Sequence, residues 1–373
     1  RVGEVEIGGQ WKLALFGQSA EIARIAGREF QEFLKQTMLT RIATGSRAGA
    51  DFTIAAGVCD NAPVGEEAFR LRVEQKHIRI CASAQRGVMQ GLHYLEATMR
   101  ARRAPFLAEG TETRQPGHSP RITAAPFYAR AELDAADDPY TDALLARISR
   151  AGFNAIWLWA DLDSLAHSEV FPELDTGAAR RQKRLDAITR RAARYGIDVY
   201  LYLANRPLKE EFFARHPETR GADLNAYGGQ AVLCTSVPEV QRHLHAALRN
   251  LMSNVPMVRG VVFIVGAEGL IHCYTRKNNC PRCSRRRAEV VVAELSRTVL
   301  ESVKSVNERA VVVVWPYGAS TSWARNDRTQ SALIELLPKG VTLLTEFAKE
   351  SPVTFGGVTT PAYDYPISIL GPS

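Results

Sequence analysis

Residues 261–269 have the sequence Val-Val-Phe-Ile-Val-Gly-Ala-Glu-Gly. A fully apolar run of this length, ended by small residues, is typical of a buried strand in a parallel sheet. The run delivers one carboxylate, that of Glu268, directly after the strand. This stretch therefore predicts an α/β fold in which Glu268 lies at the carboxyl edge of the sheet.

An alternation of strand and helix extends on both sides of this stretch. It predicts strands at Tyr128–Leu133, Ala155–Trp159, Asp198–Leu203, Gly260–Val265, Ala310–Trp315, Val341–Glu346 and Ile367–Leu370. Seven strands with helices between most of them predict a (β/α)8 TIM-type barrel that lacks its last unit, so we expect the chain to be incomplete at its C-terminus. An open doubly wound sheet is the alternative, but the first strand lacks the glycine fingerprint of nucleotide-binding folds.

The first part of the chain has a different pattern. Short strands are expected at Glu4–Ile7, Leu13–Phe16, Phe52–Ala56, Ala68–Val73 and His77–Cys81, with helices at Ala20–Thr37 and Gln85–Arg100. This mixture predicts a small α+β domain over residues 1–120. A proline-rich linker at 101–126 leads into the barrel domain, which we assign to residues 121–373.

Composition excludes several classes of protein. The chain has 373 residues, of which 46% are hydrophobic and 23% charged, as in ordinary folded proteins. No run approaches the roughly 18 apolar residues of a membrane helix, and no leader opens the chain, so we expect a soluble protein without membrane span or signal, in an unknown compartment. The net charge is +7, but the basic clusters have helical spacing, and we expect no nucleic-acid partner. The oligomeric state stays open.

The strand ends supply the candidate site, because functional side chains of a barrel lie there. Carboxylates and aromatic residues dominate these ends, and Asp161, Trp315, Tyr317 and Trp323 are the candidates for substrate binding. Such a set indicates a sugar-cleaving site, since an acid must protonate the glycosidic oxygen and aromatic faces stack on sugar rings. Packing in the core or rim is the alternative for the aromatic residues.

Glu268 is the candidate general acid. Its apolar surroundings would raise the pKa of the carboxyl group, as proton donation at neutral pH requires. A salt-bridged loop residue is the alternative. We therefore expect a carbohydrate substrate and no cofactor for catalysis.

Three of the six cysteines follow this strand, at Cys273, Cys280 and Cys283. A Cys-x-x-Cys pair with a third cysteine nearby has the spacing of metal ligands. Cys234 is the preferred fourth ligand, because His272 adjoins Cys273 and neighbours seldom both reach one ion. The sequence thus predicts a structural zinc ion, with a disulfide or free thiols as alternatives.

Two further expectations concern His272 and the remaining two cysteines. His272 is then available to face the substrate. Cys59 and Cys81, in the small domain, are expected to be buried free thiols.

Several motifs resemble one family. Residues 67–73, 77–80 and 86–95, the last with the sequence Arg-Gly-Val-Met-Gln-Gly-Leu-His-Tyr-Leu, are similar to the small N-terminal domain of family-20 glycoside hydrolases. Residues 151–157 and 195–199 resemble strand passages that this family shares with the family-67 α-glucuronidases. Residues 264–268 align with the Gly-Gly-Asp-Glu of the β-N-acetylhexosaminidases.

The resemblance implies a hydrolase that releases a β-linked N-acetylhexosamine with Glu268 as acid/base. It also implies that Arg130 binds sugar hydroxyl groups. The family's Asp, which orients the substrate's acetamido group, is Ala267 here. An α-glucuronidase-like inverting enzyme with Glu346 and Asp364 as partner carboxylates is therefore the alternative, as is a non-catalytic carbohydrate-binding protein.

Overall fold

The polypeptide folds into two units. The computed structural model describes residues 3–17, 21–45, 51–124, 132–224, 230–266, 269–275, 279–319, 329–346, 352–355, 357–361 and 367–372. One unit comprises Arg1–Ile122, Tyr140–Ala155 and Arg190–Ile197, and the other comprises Thr123–Pro139, Ile156–Thr189 and Asp198–Ser373. Among the described helices, none is long and apolar enough to cross a membrane.

The first unit is an α+β structure. Its strands are β1 (Glu4–Glu6), β2 (Lys12–Phe16), β3 (Ala43–Thr44), β4 (Thr53–Val58), β5 (Phe69–Val73), β6 (His77–Ala82), β7 (Phe106–Ala108) and β8 (Gly110–Arg114). Its helices are α1 (Glu21–Thr37), α2 (Gln85–Arg102) and α3 (Asp142–Arg150). Six strands form a sheet in the order β3-β2-β4-β6-β5-β8, and β1 pairs with β7. The expected strands and helices of this region are confirmed.

Two glycines explain how α2 packs on the sheet. A Cβ at Gly87 would lie 2.8 Å from the Cβ of Ala82 and would also collide with the carbonyl oxygen of Ala68. A Cβ at Gly91 would collide with the side chain of Ile80. The Gly-x-x-x-Gly spacing of this helix therefore permits its close approach to β5 and β6.

The prediction that Cys59 and Cys81 are free thiols was wrong. The two cysteines form a disulfide, with their Cα atoms 5.7 Å apart. The register of the sheet explains the pairing, because β4 and β6 are parallel and Gly57 lies beside Cys81. Cys59 lies two residues after Gly57, directly beyond the end of β4.

The second unit contains a half-barrel. Its elements are β9 (Ile122–Ala124), β10 (Ala155–Asp161), α4 (Leu162–Leu165), α5 (Ala178–Ala193), β11 (Asp198–Ala204), β12 (Leu208–Lys209), α6 (Glu210–Arg215), β13 (Arg220–Leu224), β14 (Gln230–Leu233), α7 (Pro238–Asn254), β15 (Val258–Ile264), α8 (Ala288–Lys304), β16 (Val311–Trp315), α9 (Thr329–Leu336), β17 (Val341–Glu346), β18 (Pro352–Phe355), β19 (Val358–Pro361) and β20 (Ile367–Pro372). The main sheet has the order β20-β17-β16-β15-β11-β10-β9.

Chain order and strand direction in this sheet match a barrel over most of its width. Strands β11, β15, β16 and β17 pair in parallel with one another in this order. The predicted α/β class is confirmed in this coarser form, and closure into a full barrel stays a prediction. The last strand departs from the pattern, since β20 is antiparallel to β17.

The prediction of a first strand at Tyr128–Leu133 was wrong for its last two residues, Glu132 and Leu133. Residues 125–131 lie outside the described part, and Glu132–Asp134 form a short 3-10 helix. Among the described residues, the first strand of this sheet is β9, which lies within the stretch that the sequence assigned to a linker. Three residues are too few for periodicity to identify a strand.

Candidate functional site

Asp161 lies at the carboxyl end of β10 and is 8% exposed. The Nε of Arg206, which follows β11, donates a hydrogen bond to Oδ2 of Asp161 and forms an ion pair with it. Burial raises the pKa of Asp161, and the charge of Asp163 adds to this effect, while Arg206 opposes it. The carboxylate of Asp161 therefore has an increased proton affinity, and its ion-pair partner Arg206 is exposed to solvent.

Asp163 contacts the same region through two hydrogen bonds. It is 7% exposed, and its Oδ1 lies 3.4 Å from Nε2 of the buried His243 of α7. Its Oδ2 accepts a hydrogen bond of 3.4 Å from the backbone N–H of Arg206. Asp163 thereby connects the ends of β10 and β11. The sequence offered no signal for His243, because it occupies the apolar face of a helix.

Five aromatic side chains, from β10, β11 and the end of β16, form a contiguous group, which we call the aromatic cluster. Ring centroids are 5.3 Å apart for Trp157 and Tyr202, 4.8 Å for Trp159 and Tyr202, 6.3 Å for Trp157 and Trp315, and 5.5 Å for Trp315 and Tyr317. Trp157, Trp159 and Tyr317 are half-buried. The structure thus brings the predicted Trp315 and Tyr317 together with three residues that the sequence reasoning missed.

The missed residues carry a weak signal in the sequence. Trp157 and Trp159 alternate with Ile156, Leu158 and Ala160 along β10, so both tryptophans lie on one face of the sheet. The side-chain nitrogen of Trp157 is buried and has no hydrogen-bond partner among the residues that the structure describes. An indole N–H without a partner can donate to a ligand oxygen.

Glu268 and Ala267 lie outside the described residues, and the same holds for Arg130, Trp323 and Asp364. Glu346 is the last residue of β17, but its side chain is likewise outside the described part. These six residues therefore remain predictions.

The described residues on either side of positions 267 and 268 are tightly held. A Cβ at Gly266 would collide with the backbone of Gly318 and Ala319, which follow β16. Gly269 has a φ of +83°, and its carbonyl oxygen accepts a hydrogen bond of 3.3 Å from the backbone N–H of Asn205, after β11. The ends of β16 and β11 thus anchor the chain on both sides.

His272 is buried in its own loop. Its Nε2 lies 2.5 Å from the carbonyl oxygen of Val265, and its Nδ1 accepts a hydrogen bond of 3.1 Å from the backbone N–H of Tyr274. Burial lowers the pKa of His272 to about 4, although the Val265 carbonyl opposes this effect. Because both nitrogens of the neutral His272 ring have partners within the loop, His272 is not part of the proposed substrate site.

The four predicted metal-ligating cysteines come together. Cys234, Cys273, Cys280 and Cys283 are buried, and their sulfur atoms all lie within 4.8 Å of one another. This group is the cysteine cluster. None of the four is in a disulfide.

Comparisons with known proteins concern the first part of the chain and the fold. Residues 3–113 match the family model described as glycosyl hydrolase family 20, domain 2. The structure is similar to the GH20 β-N-acetylhexosaminidase from Streptomyces coelicolor A3(2), with a TM-score of 0.60, 15% identity and coverage of 93% of this chain and 73% of that one. It is also similar to a mutant Streptomyces plicatus β-hexosaminidase in complex with the product GlcNAc, with a TM-score of 0.60, 14% identity and coverage of 97% and 75%.

A third similar structure comes from another family. A GH138 enzyme targeting pectin rhamnogalacturonan II has a TM-score of 0.63 and 12% identity over 92% of this chain, which spans about half (49%) of that structure. No curated protein sequence matches the chain.

The family model and the fold support the same relationship. Residues 3–113 match domain 2 of glycosyl hydrolase family 20, and the fold is similar to that of the GH20 hexosaminidases. The resemblance predicted from the sequence is confirmed.

Proposed function

We propose that the chain is a glycoside hydrolase that releases a terminal sugar, with a β-linked N-acetylhexosamine as the preferred substrate. The aromatic cluster near the carboxyl ends of β10, β11 and β16 is the observation that carries this proposal. Aromatic faces stack on the apolar faces of sugar rings. The indole N–H of Trp157, which has no partner within the described part of the chain, can donate a hydrogen bond to a hydroxyl group. A site of this composition suits an uncharged, ring-shaped, hydroxyl-rich ligand.

The described residues suggest a division of roles. Trp315 and Tyr317 stack against the sugar ring, and the pair of Asp161 and Arg206 binds its hydroxyl groups. Arg130 and Trp323 complete the substrate-binding set as the sequence predicts. In this proposal residues 1–120 are the N-terminal domain of hexosaminidase type, and residues 121–373 are the catalytic barrel.

Glu268 is the proposed general acid. It donates its proton to the glycosidic oxygen as the bond to the anomeric carbon breaks, so that the leaving group departs as a neutral alcohol. The substrate's acetamido oxygen bonds to the anomeric carbon as the leaving group departs. As the conjugate base, Glu268 then takes a proton from the incoming water, whose oxygen displaces the acetamido oxygen from the anomeric carbon. The reaction needs no cofactor.

Ala267 favours a second candidate mechanism, because no carboxylate at that position can orient an acetamido group. In the inverting alternative, resembling the α-glucuronidases, Glu346 or Asp364 activates the water, and the two carboxyl groups stand roughly 6.5–9.5 Å apart. A carbohydrate-binding protein without activity is the remaining alternative.

Steady-state kinetics on chromogenic N-acetylglucosaminide, N-acetylgalactosaminide and glucuronide substrates tests the proposal. Glu268→Gln should lower kcat by about 10²–10⁴-fold, which is the range of general acid catalysis. The matched control is Glu301→Gln, a change on the exposed face of α8 that should leave kcat unaltered. Undiminished kcat in Glu268→Gln would refute the assignment, and sugar binding by a wild-type chain that cleaves none of the three would support the binding protein.

A further inference from the structure

We propose that the cysteine cluster is a structural zinc site that holds the loop after β15. Cys234 follows β14, Cys273 lies in the loop after β15, and Cys280 and Cys283 form a Cys-x-x-Cys turn before α8. All four side chains are 0% exposed. Four buried thiols that converge from separate segments are the ligand set of a closed, four-coordinate zinc site.

The distances between sulfur atoms fit a shared ion. Cys234 Sγ lies 3.6 Å from Cys283 Sγ and 3.7 Å from Cys280 Sγ. Four sulfurs placed tetrahedrally about zinc at about 2.3 Å stand about 3.8 Å apart. A disulfide bond requires about 2.05 Å. These two distances therefore match edges of a tetrahedron around a metal, and the remaining sulfur–sulfur distances are at most 4.8 Å.

Hydrogen-bond donors surround the sulfur atoms, as expected where thiolates carry negative charge. Arg282 Nε lies 3.5 Å from Cys234 Sγ. Ser236 Oγ lies 3.4 Å from Cys283 Sγ and itself accepts a hydrogen bond of 2.9 Å from Arg286 Nη1. Two guanidinium groups thus offset the net charge of −2 that four thiolates and one Zn²⁺ would have.

The backbone is also shaped around the cluster. A Cβ at Gly221 in β13 would lie 2.9 Å from Cys273 Sγ, so that only a glycine permits this approach. With all four sulfur atoms as ligands, a tetrahedral ion would have no open coordination position. A closed site of this kind stabilises structure and does not activate water.

The ion would bind together segments that are distant in sequence. Cys273 lies in the loop that begins after position 268, and the same loop is bound to Asn205 through Ile271, whose N–H donates to Asn205 Oδ1 at 2.6 Å. Zinc at the cluster would therefore fix one side of the loop that leaves the proposed acid, while Asn205 fixes the other. This role is independent of whether Glu268 is catalytic.

Metal analysis of the full-length chain, purified without metal-affinity resin, tests the site directly. We expect about one zinc per chain, and four cysteines that resist alkylation until a chelator removes the zinc. Reconstitution with Co²⁺ should give the absorption of tetrahedral tetrathiolate cobalt. Cys234→Ser and Cys283→Ser should lose the zinc, whereas Ser236→Ala, which alters a neighbour but no ligand, should keep it.

Three outcomes would overturn the proposal. They are a wild-type chain without metal, a chain with iron in place of zinc, and peptide mapping that finds a disulfide within the cluster. Cys283→His provides a folded alternative if the serine variants do not fold, because it replaces one zinc ligand by another and should retain the metal. None of these measurements depends on hydrolase activity.

Discussion

The carboxylate of Glu67 is the buried ion on which we expect the first unit to depend most. Its side chain is 6% exposed. Arg121 donates two hydrogen bonds to it, of 2.8 and 3.1 Å, and Asn154 Nδ2 and Gln90 Nε2 donate one each, of 2.9 and 3.1 Å. One carboxylate thereby joins α2, the segment after β8 and the segment after α3, all within the first unit.

The substitution Glu67→Gln removes the charge and turns two of these acceptor contacts into contacts between donors. Breaking a buried ion pair on one side costs about 3–5 kcal/mol, because the remaining charge is left uncompensated. The side chain of Arg121 is 23% exposed and regains some water, which places the expected loss near the lower end, at about 3 kcal/mol. The adjacent Glu66 is the matched control: its side chain is 77% exposed and lies 4.0 Å from Arg86, so Glu66→Gln should cost less than about 0.5 kcal/mol.

Urea denaturation of the full chain measures the free energy of unfolding, and hydrogen exchange at the amides of α2 locates the loss in the first unit. The double variant Glu67→Gln/Arg121→Met should recover part of the loss, because it removes the uncompensated charge as well. Equal stability of Glu67→Gln and Glu66→Gln, or simple additivity in the double variant, would refute this reasoning.

Two further predictions concern α2. Burial, together with the charge of Arg150, lowers the pKa of His93 from 6.5 to about 4. Because the folded pKa lies below the ordinary value, the unfolded chain takes up the proton first as the pH falls. The free energy of unfolding is therefore unaffected by this group above pH 6.5 and decreases by about 3 kcal/mol as the pH falls toward 4. Urea denaturation at pH 7.5 and 4.5 should show this loss in the wild type and much less of it in His93→Leu, and an equal loss in both would contradict the assignment. Gly87→Ala should lower the free energy of unfolding by about 2 kcal/mol, because its Cβ would crowd the sheet. The control is Gly117→Ala, whose Cβ would meet no atom within 4 Å and should change the melting temperature little. Equal changes in melting temperature for the two variants would argue against close helix packing.

The elements that the sequence predicted well are those with long local patterns. The strands observed at β10, β11, β15, β16 and β17 coincide with apolar runs, because a strand buried on both faces needs apolar residues at every position. The helix α2, predicted at Gln85–Arg100, is likewise long enough for its pattern to be recognised. Strand β9 was missed because three residues do not establish a period.

The candidate site was only partly predictable. Trp315 and Tyr317 follow from the rule that functional residues occupy strand ends, and the cysteine cluster follows from its spacing. The ion pair of Asp161 with Arg206 and the aromatic contacts of Trp157 with Tyr202 join residues about 45 positions apart. No local pattern encodes such contacts, since they depend on which strands are neighbours and in what register.

By itself, the sequence determined the α/β class, most of the strands and helices, and the resemblance to family-20 glycoside hydrolases. The tertiary structure alone decided which side chains meet: it buried His272 within its loop, joined Cys59 to Cys81 and assembled the aromatic cluster. The physical reason is that periodicity reports the burial of each residue along one element. Distances between elements arise only when the sheet orders its strands and the core packs.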